Sequence, residues 1–330
     1  MKLSIIIAAY NCEKYIKRCI YSCINQNYNI QNYEIIVIDD GSTDKTLSIL
    51  NQLQKKVANL IVISQKNKGL GASRNIGIKY SQGTYLWFID GDDYIATDVL
   101  DSIVRKIELE KLDVLALDYS IVDEEYNQIS KNNSSFRIDS NIVSGSCFYK
   151  DNYLQSYTWL FLFKKKLFTE NNIFFKEKIN MQDSEILPKL LIHSKKVALY
   201  NTVCYYYVQH QNSFTNTSNG EKRYKYFKSI ISVKESLEYF LHTVKNDKDM
   251  AEGLKRKINA IDEVVFNHLI FYSYEKEWFV KCIDLLKKNY FFPLKFTPKG
   301  KFIFLKYGMN NFPVLTKNII DIYFKLKDKK

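Results

Sequence analysis

The amino-acid sequence predicts an α/β protein with a Rossmann-like, mostly parallel central sheet and a helical C-terminal extension. Short apolar runs alternate with helical segments over the first hundred of the 330 residues, and acidic clusters directly follow two of these runs. From Tyr224 onward, apolar residues recur every three or four positions, which is the spacing of helices. Apolar strands separated by helices are typical of a parallel sheet that is covered on both faces.

The elements of the first hundred residues follow one another in a regular order. We predict strands at 3–10, 34–39, 60–64 and 85–89, and helices at 13–26, 44–54 and 72–81. Ser42 or Asp44 can cap the helix at 44–54. In sheets of this kind, ligands bind at the carboxyl ends of the strands.

The remaining chain is predicted in two parts. Residues 113–160 alternate less regularly and indicate mixed strands with connecting loops, and 196–207 contains an aromatic strand. We therefore divide the chain into an α/β sheet domain at 1–220 and a mainly helical extension at 221–330.

Composition indicates a cytosolic globular protein. The longest apolar runs have the length of strands, and none reaches the roughly 18–20 residues of a transmembrane helix. The chain begins directly with a strand, and we predict no signal peptide. The six cysteines form no CxxC pair and no disulfide framework, so reduced thiols are expected.

The net charge of +12 is concentrated in the C-terminal third, because residues 224–330 carry 21 basic and 12 acidic side chains. Nucleic acid is not an expected partner, since no RNP, zinc-finger or helix-turn-helix signature is found. The tail from Lys299 mixes eight lysines and two aspartates with aromatic and aliphatic residues. Two interpretations stay open: an amphipathic segment at an anionic membrane surface, or a helical lid with a solvated lysine face.

Two acidic clusters carry the predicted chemistry. One runs from Asp39 to Asp44 after the second strand, and the other is Asp90-Gly91-Asp92-Asp93 after the fourth. Each cluster alone fits a solvated turn with helix caps. Together on one sheet edge they repel one another unless a cation or hydrogen-bond donors meet them. Mg²⁺ or Mn²⁺, bridging carboxylates to a diphosphate, satisfies this requirement.

Glycine-rich phosphate loops are missing from the sequence. The first strand ends without glycine, and Gly69-Leu70-Gly71 is followed by Arg74 where a third glycine of GxGxxG would stand. A GxxxxGK[ST] motif is also missing. We therefore expect a metal, and not a glycine-rich helix N-terminus, to hold the phosphates.

Four ordered segments, SIIIAAYNCEKYI, IIVIDDGSTDKT, NKGLGASRNIGI and YLWFIDGDDYI, resemble family 2 glycosyltransferases of the GT-A fold. The resemblance implies an inverting hexosyl- or N-acetylhexosaminyl-transferase of bacterial polysaccharide biosynthesis. Its donor would be a nucleotide-diphosphate sugar, usually of UDP. Its acceptor would be a hydroxyl of a glycan. The basic C-terminal region fits an acceptor carried on a polyprenyl pyrophosphate, and we expect a cytoplasmic enzyme that can be peripheral to the inner face of the membrane.

The resemblance also implies roles for individual residues at the donor. The nucleoside would be held after the first strand and after the second strand, and a basic residue would lie near the base and diphosphate. The matching residues are Ala9, Tyr10, Glu13, Asp39, Asp40 and Arg74. Asp90, Asp92 and Asp93 match the DXD region, which contacts the ribose and the metal, and Asp92 is the expected direct ligand.

The resemblance places the catalytic base further along the chain. Asp183 matches the base, although Gln182 stands where glutamate is common, and Glu185 is a conceivable substitute. The segment from His210 to Ser213 resembles a loop that closes over the diphosphate, so His210 would contact the metal or a phosphate. Trp159 resembles an acceptor-side motif, with a core position as the alternative.

Two other functions remain open from the residues alone. A metal-dependent nucleotidyltransferase shares the carboxylate chemistry but normally needs a basic, glycine-rich loop after the first strand. A non-catalytic lipid- or nucleic-acid-binding protein could keep the same fold. The intact Asp92, Asp93 and Asp183 argue against the second alternative.

Overall fold

The computed structural model describes residues 1–130, 136–138, 141–210, 220–271, 276–296, 298 and 302–327. The chain divides into two compact units, formed by residues 1–213 with 247–253 and by residues 214–246 with 254–330. The predicted domain boundary between residues 220 and 221 stays a prediction. Among the described residues, no helix combines the length and the apolar character that crossing a bilayer requires.

The first unit contains a mostly parallel sheet. Its strands are β1 Leu3–Ala9, β2 Tyr33–Asp39, β3 Leu60–Ser64, β4 Tyr85–Asp90, β5 Tyr94–Ile95, β6 Val114–Val122, β7 Gln128–Ser130, β8 Phe161–Lys164 and β9 Val197–Val208. They run in the order β3-β2-β1-β4-β8-β6-β9-β5, with β7 paired to β6. Strands β1 to β4 are mutually parallel, β8 is antiparallel to both β4 and β6, and β6 is parallel to β9.

Seven helices in the described part of the first unit connect these strands. They are α1 Ile16–Ile24, α2 Thr46–Gln54, α3 Leu70–Tyr80, α4 Leu100–Leu109, α5 Gly145–Asn152, α6 Lys166–Thr169 and α7 Gln182–Leu191, with a 3₁₀ helix at Thr158–Leu160. Helix α1 buries a stripe at three- and four-residue spacing, made of Ile16, Cys19, Ile20 and Cys23. Asp44 Oδ1 accepts a hydrogen bond from the amide of Thr46, the first residue of α2, at 2.9 Å, whereas the N-cap position itself is Lys45.

The core of the first unit lies around β1 and β2, which are covered on both faces. All seven residues of β2 are buried, and so are six of the seven residues of β1. Because both faces are covered, these strands are apolar apart from Ser4 of β1 and from Glu34 and Asp39 of β2, and they show no regular alternation of polar and apolar residues. The predicted α/β class with a mostly parallel sheet is confirmed.

The described part of the second unit is helical. Its helices are α8 Gly220–Thr243, α9 Lys248–Phe271, α10 Lys276–Lys288, α11 Phe302–Asn311 and α12 Pro313–Lys327, and the first turn of α9 belongs to the first unit. Leu254, Ile258, Ile261, Val265 and Leu269 are all buried along one stripe of α9. This stripe confirms the periodicity that predicted a C-terminal helical region.

Candidate active site

The carboxyl ends of β1, β2 and β4 meet at one edge of the sheet because the three strands are parallel and in register. Ala9 of β1 pairs with Asp39 of β2, and Ala8 pairs with Asp90 of β4. The Asp40 amide also donates to the Ala9 carbonyl oxygen at 2.8 Å. The two acidic clusters therefore lie on either side of β1.

Asp39 is a buried carboxylate with one oxygen left open. Its Oδ2 accepts a hydrogen bond from Ser64 Oγ at 3.1 Å. Its Oδ1 is buried and has no hydrogen-bond partner among the described residues. A buried acceptor without a donor costs roughly 1–3 kcal/mol, and more when it is charged. This position therefore favours a ligand that donates a hydrogen bond.

Asp40, the next residue, is used by the protein itself. Its Oδ1 accepts from the Lys68 amide and from Gln65 Nε2, both at 2.8 Å, and its Oδ2 accepts from the Gly69 amide at 2.8 Å. Gly69 precedes α3, the helix that carries Arg74. Asp40 thus fixes the loop before α3, and its contribution to a ligand site is through this loop.

The loops that follow β1 and β2 are joined by hydrogen bonds. Glu13 Oε2 accepts from the Lys45 amide at 2.8 Å, and Asp44 Oδ2 accepts from the Glu13 amide at 3.1 Å. Tyr10, in the first of these loops, is 51% exposed. Glu13 therefore holds the two loops together, whereas the Tyr10 ring is accessible to a ligand.

Arg74 joins two carboxylates that are far apart in the sequence. Its side chain is only 1% exposed; one terminal nitrogen donates to Asp90 Oδ1 at 2.9 Å, and the other donates to Asp183 Oδ1. Thr158 Oγ1 donates to the same Asp183 oxygen at 3.0 Å. Asp183 Oδ2 receives no hydrogen bond from any residue that the structure describes.

The charges of this cluster depend on one another. Burial by itself lowers the pKa of Arg74, but Asp183 and Asp90 outweigh it, and the pKa of Arg74 lies above its ordinary value. Burial raises the pKa of Asp90 to about 6, although Arg74 opposes the increase. Removing one member of a buried ion pair leaves an uncompensated charge. Arg74, Asp90 and Asp183 therefore act as one electrostatic unit.

Asp183 lies in the first turn of α7, where the helix dipole stabilises a carboxylate. Its neighbour Gln182 is buried, and Glu185 is also buried and pairs with Lys189 one turn later. Of the two acidic side chains in this turn, Asp183 is the one that reaches Arg74.

Asp92 is paired with His210 at the same edge. The Asp92 side chain is 39% exposed, and its Oδ2 lies 3.0 Å from His210 Nε2. This hydrogen bond raises the pKa of His210 above its ordinary value. The His210 ring stacks on Tyr15 with 5.2 Å between centroids, and the Tyr15 hydroxyl donates to Glu124 Oε1 at 2.5 Å. Residues 211–213 of the predicted closing loop lie outside the described residues.

Asp93 differs from Asp92 because both of its oxygens are engaged. The Tyr205 hydroxyl donates to Oδ2 at 2.5 Å, and the Val208 amide donates to Oδ1 at 2.8 Å. The Asp90 amide donates to the same Tyr205 oxygen at 3.3 Å. Burial, and then the nearby Asp92 charge, raise the pKa of Asp93 well above its ordinary value. Asp93 therefore ties β9 to the acidic cluster.

Comparison with known proteins identifies the family. A family model described as glycosyl transferase family 2 matches residues 4–176. The chain belongs to this family. An uncharacterized glycosyltransferase from Haemophilus influenzae is 41% identical over 138 residues, which cover 42% of this chain. The match spans only 54% of that relative's own length.

Solved structures confirm the predicted GT-A fold. S. aureus TarS (residues 1–349), in complex with UDP-GlcNAc, has a TM-score of 0.74 at 18% identity, over 99% of this chain and 92% of that one. The mannosyltransferase PcManGT from Pyrobaculum calidifontis, in complex with GDP-Man and Mn²⁺, has a TM-score of 0.53 at 14% identity, over 100% of this chain and 88% of that one. At these identities the likeness concerns the fold.

The residues at this edge fit a cation that is coordinated partly by the protein and partly by a bound substrate. No group of three or more His, Cys, Asp or Glu side chains that could hold a metal is found among the described residues. Asp92 and His210 supply one oxygen and one nitrogen, whereas both oxygens of Asp93 are engaged elsewhere. Mg²⁺ and similar cations are often held by one or two protein groups plus substrate phosphates.

Several residues of the site were not predicted. Thr158 contacts Asp183, and Tyr15 with Glu124 supports His210, yet none of them follows a strand of the predicted sheet. Tyr205 belongs to the aromatic strand that the sequence predicted, but its contact with Asp93 depends on how β9 pairs in the sheet. Long-range pairing of this kind leaves no local signal in the sequence.

Arg18 of α1 supports the same region from outside the acidic cluster. Its guanidinium carbon lies 4.0 Å from the ring centroid of Tyr94 and 3.8 Å from that of Tyr126. Its three side-chain nitrogens are buried, without a hydrogen-bond partner among the described residues. Cation–π contact of this kind fixes the turn that carries Glu124 and Tyr126.

Proposed function

We propose that this chain is an inverting glycosyltransferase that moves a sugar from a UDP-sugar to a hydroxyl of a glycan or lipid-linked acceptor in polysaccharide synthesis. The observation that carries the proposal is the Arg74 bridge between Asp90, at the strand edge, and Asp183, on α7. Membership of family 2 and the TarS-like fold support the class of reaction.

The nucleoside is proposed to bind at Asp39. Its buried Oδ1, which has no hydrogen-bond partner in the described part of the chain, would accept the N3–H of uracil, and the exposed Tyr10 ring can stack on the base. Ala9 contributes backbone at the strand end, while Asp40 and Glu13 hold the surrounding loops. A carboxylate at this position discriminates against cytosine, which has no N3–H to donate.

The diphosphate is proposed to bind near Asp92 and His210, which would hold Mn²⁺ or Mg²⁺ together with the phosphate oxygens. Such a cation, when bound, neutralises the charge that develops on the leaving diphosphate. Asp93 and Tyr205 orient this segment from behind. Asp90, held by Arg74, is placed to accept a hydrogen bond from the ribose.

Asp183 is proposed as the general base. Arg74 and Thr158 hold its Oδ1 through hydrogen bonds, which leaves Oδ2 to accept the proton of the acceptor hydroxyl. The acceptor oxygen then attacks the anomeric carbon from the face opposite the leaving diphosphate. A single displacement of this kind inverts the anomeric configuration.

The proposal is tested by measuring UDP release from a panel of UDP-sugars, with and without Mn²⁺. We expect release from at least one donor, and we expect EDTA to abolish it. Asp183→Asn should lower kcat by about a thousandfold while the Kd for UDP, measured by calorimetry, stays within about twofold. The matched control is Asp101→Asn in the first turn of α4, where Asp101 pairs with the exposed Arg105. Near-normal activity of Asp183→Asn would overturn the base assignment.

We further propose that the C-terminal extension contacts an anionic membrane surface. Helices α11 and α12, together with Phe312 between them, expose apolar side chains; those of the helices are Ile303, Phe304, Tyr307, Leu315, Ile319 and Ile322. Lysines are frequent in the same segment. Apolar side chains next to basic ones are typical of helices that lie in a membrane interface.

Co-sedimentation with vesicles of phosphatidylcholine alone, or with added phosphatidylglycerol, tests the membrane proposal. We expect salt-sensitive binding to the anionic vesicles only, and loss of binding in Phe304→Asp. Leu109→Asp is the matched control, because Leu109 is an exposed apolar residue of α4. Equal binding of both variants, or none by the wild type, would favour the lid interpretation.

A further inference from the structure

Three aromatic rings form a continuous stack beside Asp183. The Tyr157 ring is stacked on Trp159, with 5.2 Å between centroids and 20° between planes. Trp159 is in turn stacked on Tyr205, with 4.3 Å between centroids and 13° between planes. Tyr207 lies nearly parallel to Trp159 at 6.0 Å.

The inner rings of the stack are rigidly held. Trp159 is 4% exposed, and its carbonyl oxygen accepts a hydrogen bond from Trp87 Nε1 at 2.9 Å. Tyr205 is fully buried and bonded through its hydroxyl to Asp93. The outer ring differs, because Tyr157 is 48% exposed. Its accessible part is presented on a support that cannot easily rearrange.

The stack is connected to the proposed base through a single residue. Thr158 stands between Tyr157 and Trp159 in the chain, is fully buried, and donates to Asp183 Oδ1 at 3.0 Å. The exposed ring is therefore the immediate chain neighbour of the group that holds the base.

We propose that Tyr157 is an acceptor-binding residue, on which the apolar face of a pyranose ring stacks. The inference rests on the proposed glycosyltransferase function and names the class of its acceptor. The C–H groups of one pyranose face form a flat apolar surface, which complements the electron-rich face of an aromatic ring. An open-chain polyol phosphate has no such face, so a cyclic sugar fits this position and a linear polyol does not.

Ligand-detected NMR tests the inference without requiring turnover. Saturation transfer is measured from the protein to methyl β-glucopyranoside and methyl N-acetyl-β-glucosaminide, with ribitol 5-phosphate as the open-chain probe. We expect transfer to a pyranoside, concentrated on its C–H protons, and its loss in Tyr157→Ala. Tyr157→Trp should retain it. The matched control is Tyr80→Ala, because Tyr80 is 54% exposed at the end of α3.

Transfer kinetics provide the second measurement. With any donor that the wild type turns over, Tyr157→Ala should raise the KM for the pyranoside acceptor about tenfold. The KM for the donor and the rate of donor hydrolysis without acceptor should stay unchanged, which a merely structural role of Tyr157 would not produce.

The outcomes separate the two proposals. If UDP is released but Tyr157→Ala alters neither the acceptor KM nor the NMR signal, the acceptor assignment is wrong and the proposed function stands. If ribitol 5-phosphate gives the Tyr157-dependent signal and the pyranosides do not, the acceptor class is wrong. If no donor is turned over while the pyranoside signal depends on Tyr157, the sugar-binding role stands and the proposed function fails.

Discussion

The acidic clusters after β2 and after β4 use their neighbouring aspartates in different ways. After β2, Asp40 accepts three hydrogen bonds from the loop before α3, and Asp39 keeps one buried oxygen without a donor. After β4, Asp93 is engaged by Tyr205 and Val208, and Asp92 is partly exposed beside a histidine.

In each cluster, one carboxylate is engaged by hydrogen bonds within the protein, and its neighbour remains available to a ligand. The available group after β2 is buried and suits a neutral hydrogen-bond donor. The available group after β4 is accessible and suits a cation, because its side chain faces solvent and an imidazole. The difference in burial therefore supports the proposed roles of Asp39 in base recognition and of Asp92 in cation binding.

The largest effect is expected from the exposed member of the β4 cluster. Asp92→Asn should lower kcat/KM by about a hundredfold to a thousandfold, because it removes a charged ligand next to the diphosphate. The response of the rate to Mn²⁺ concentration should shift to higher concentrations. Steady-state UDP release across a Mn²⁺ titration measures both effects. A normal Mn²⁺ response in this variant would contradict the assignment.

The next effect is expected from the buried member of the β2 cluster. Asp39→Asn should weaken UDP binding by roughly tenfold to a hundredfold, because a charged acceptor of the uracil N3–H is lost. The amide can instead donate to N3 of cytosine, so the preference for UDP over CDP should fall. Calorimetry with both nucleotides measures the ratio. An unchanged ratio would place the base elsewhere.

A stability effect is expected at Asp40. Asp40→Asn should lower the free energy of unfolding by about 1–3 kcal/mol. The reason is that the side-chain NH₂ group of asparagine would face backbone N–H donors in place of a carboxylate oxygen that accepts their hydrogen bonds. Chemical denaturation measures the loss. Asp98→Asn is the control, since Asp98 accepts a single exposed hydrogen bond from the Asn27 amide and should lose less than about 0.5 kcal/mol.

The smallest effect is expected at Asp93, where the fold already disfavours the charge. Burial raises the pKa of Asp93 above 3.8. Ionisation of Asp93 is therefore less favourable in the folded state than in the unfolded chain, so it lowers stability as the pH rises. Asp93→Asn should therefore change stability by less than about 1 kcal/mol near neutral pH. Chemical denaturation from pH 4 upward should show that the free energy of unfolding of the variant rises relative to that of the wild type. A relative loss with rising pH would contradict this sign.

The sequence predicted the strands of the first hundred residues closely, because their continuous apolar character is a local property. The predicted ends of β2, β3 and β4 agree with the structure to within one residue. The insertion of β8 between β4 and β6 was not predicted, since pairing partners distant in sequence leave no periodic signal.

For the site, the sequence predicted the positions of the acidic residues but not their hydrogen bonds. The position of Asp39 and Asp90 at one edge follows from strand ends and parallel order, and both were predicted there. Which oxygens remain open was not predictable, because it depends on hydrogen bonds from distant groups. Thr158 and Tyr205 are examples, each more than sixty residues beyond β4 in the chain.

The geometry of Arg74 limits the mutational tolerance of the whole pocket. A guanidinium is a rigid planar fork whose two arms can hold two carboxylates at a set spacing, whereas the single ammonium of lysine cannot reproduce that spacing. A positive charge alone therefore cannot replace Arg74. Saturation mutagenesis at this position, scored by UDP release, should recover arginine only. We therefore expect changes in donor and acceptor preference to arise in the loops and not at Arg74.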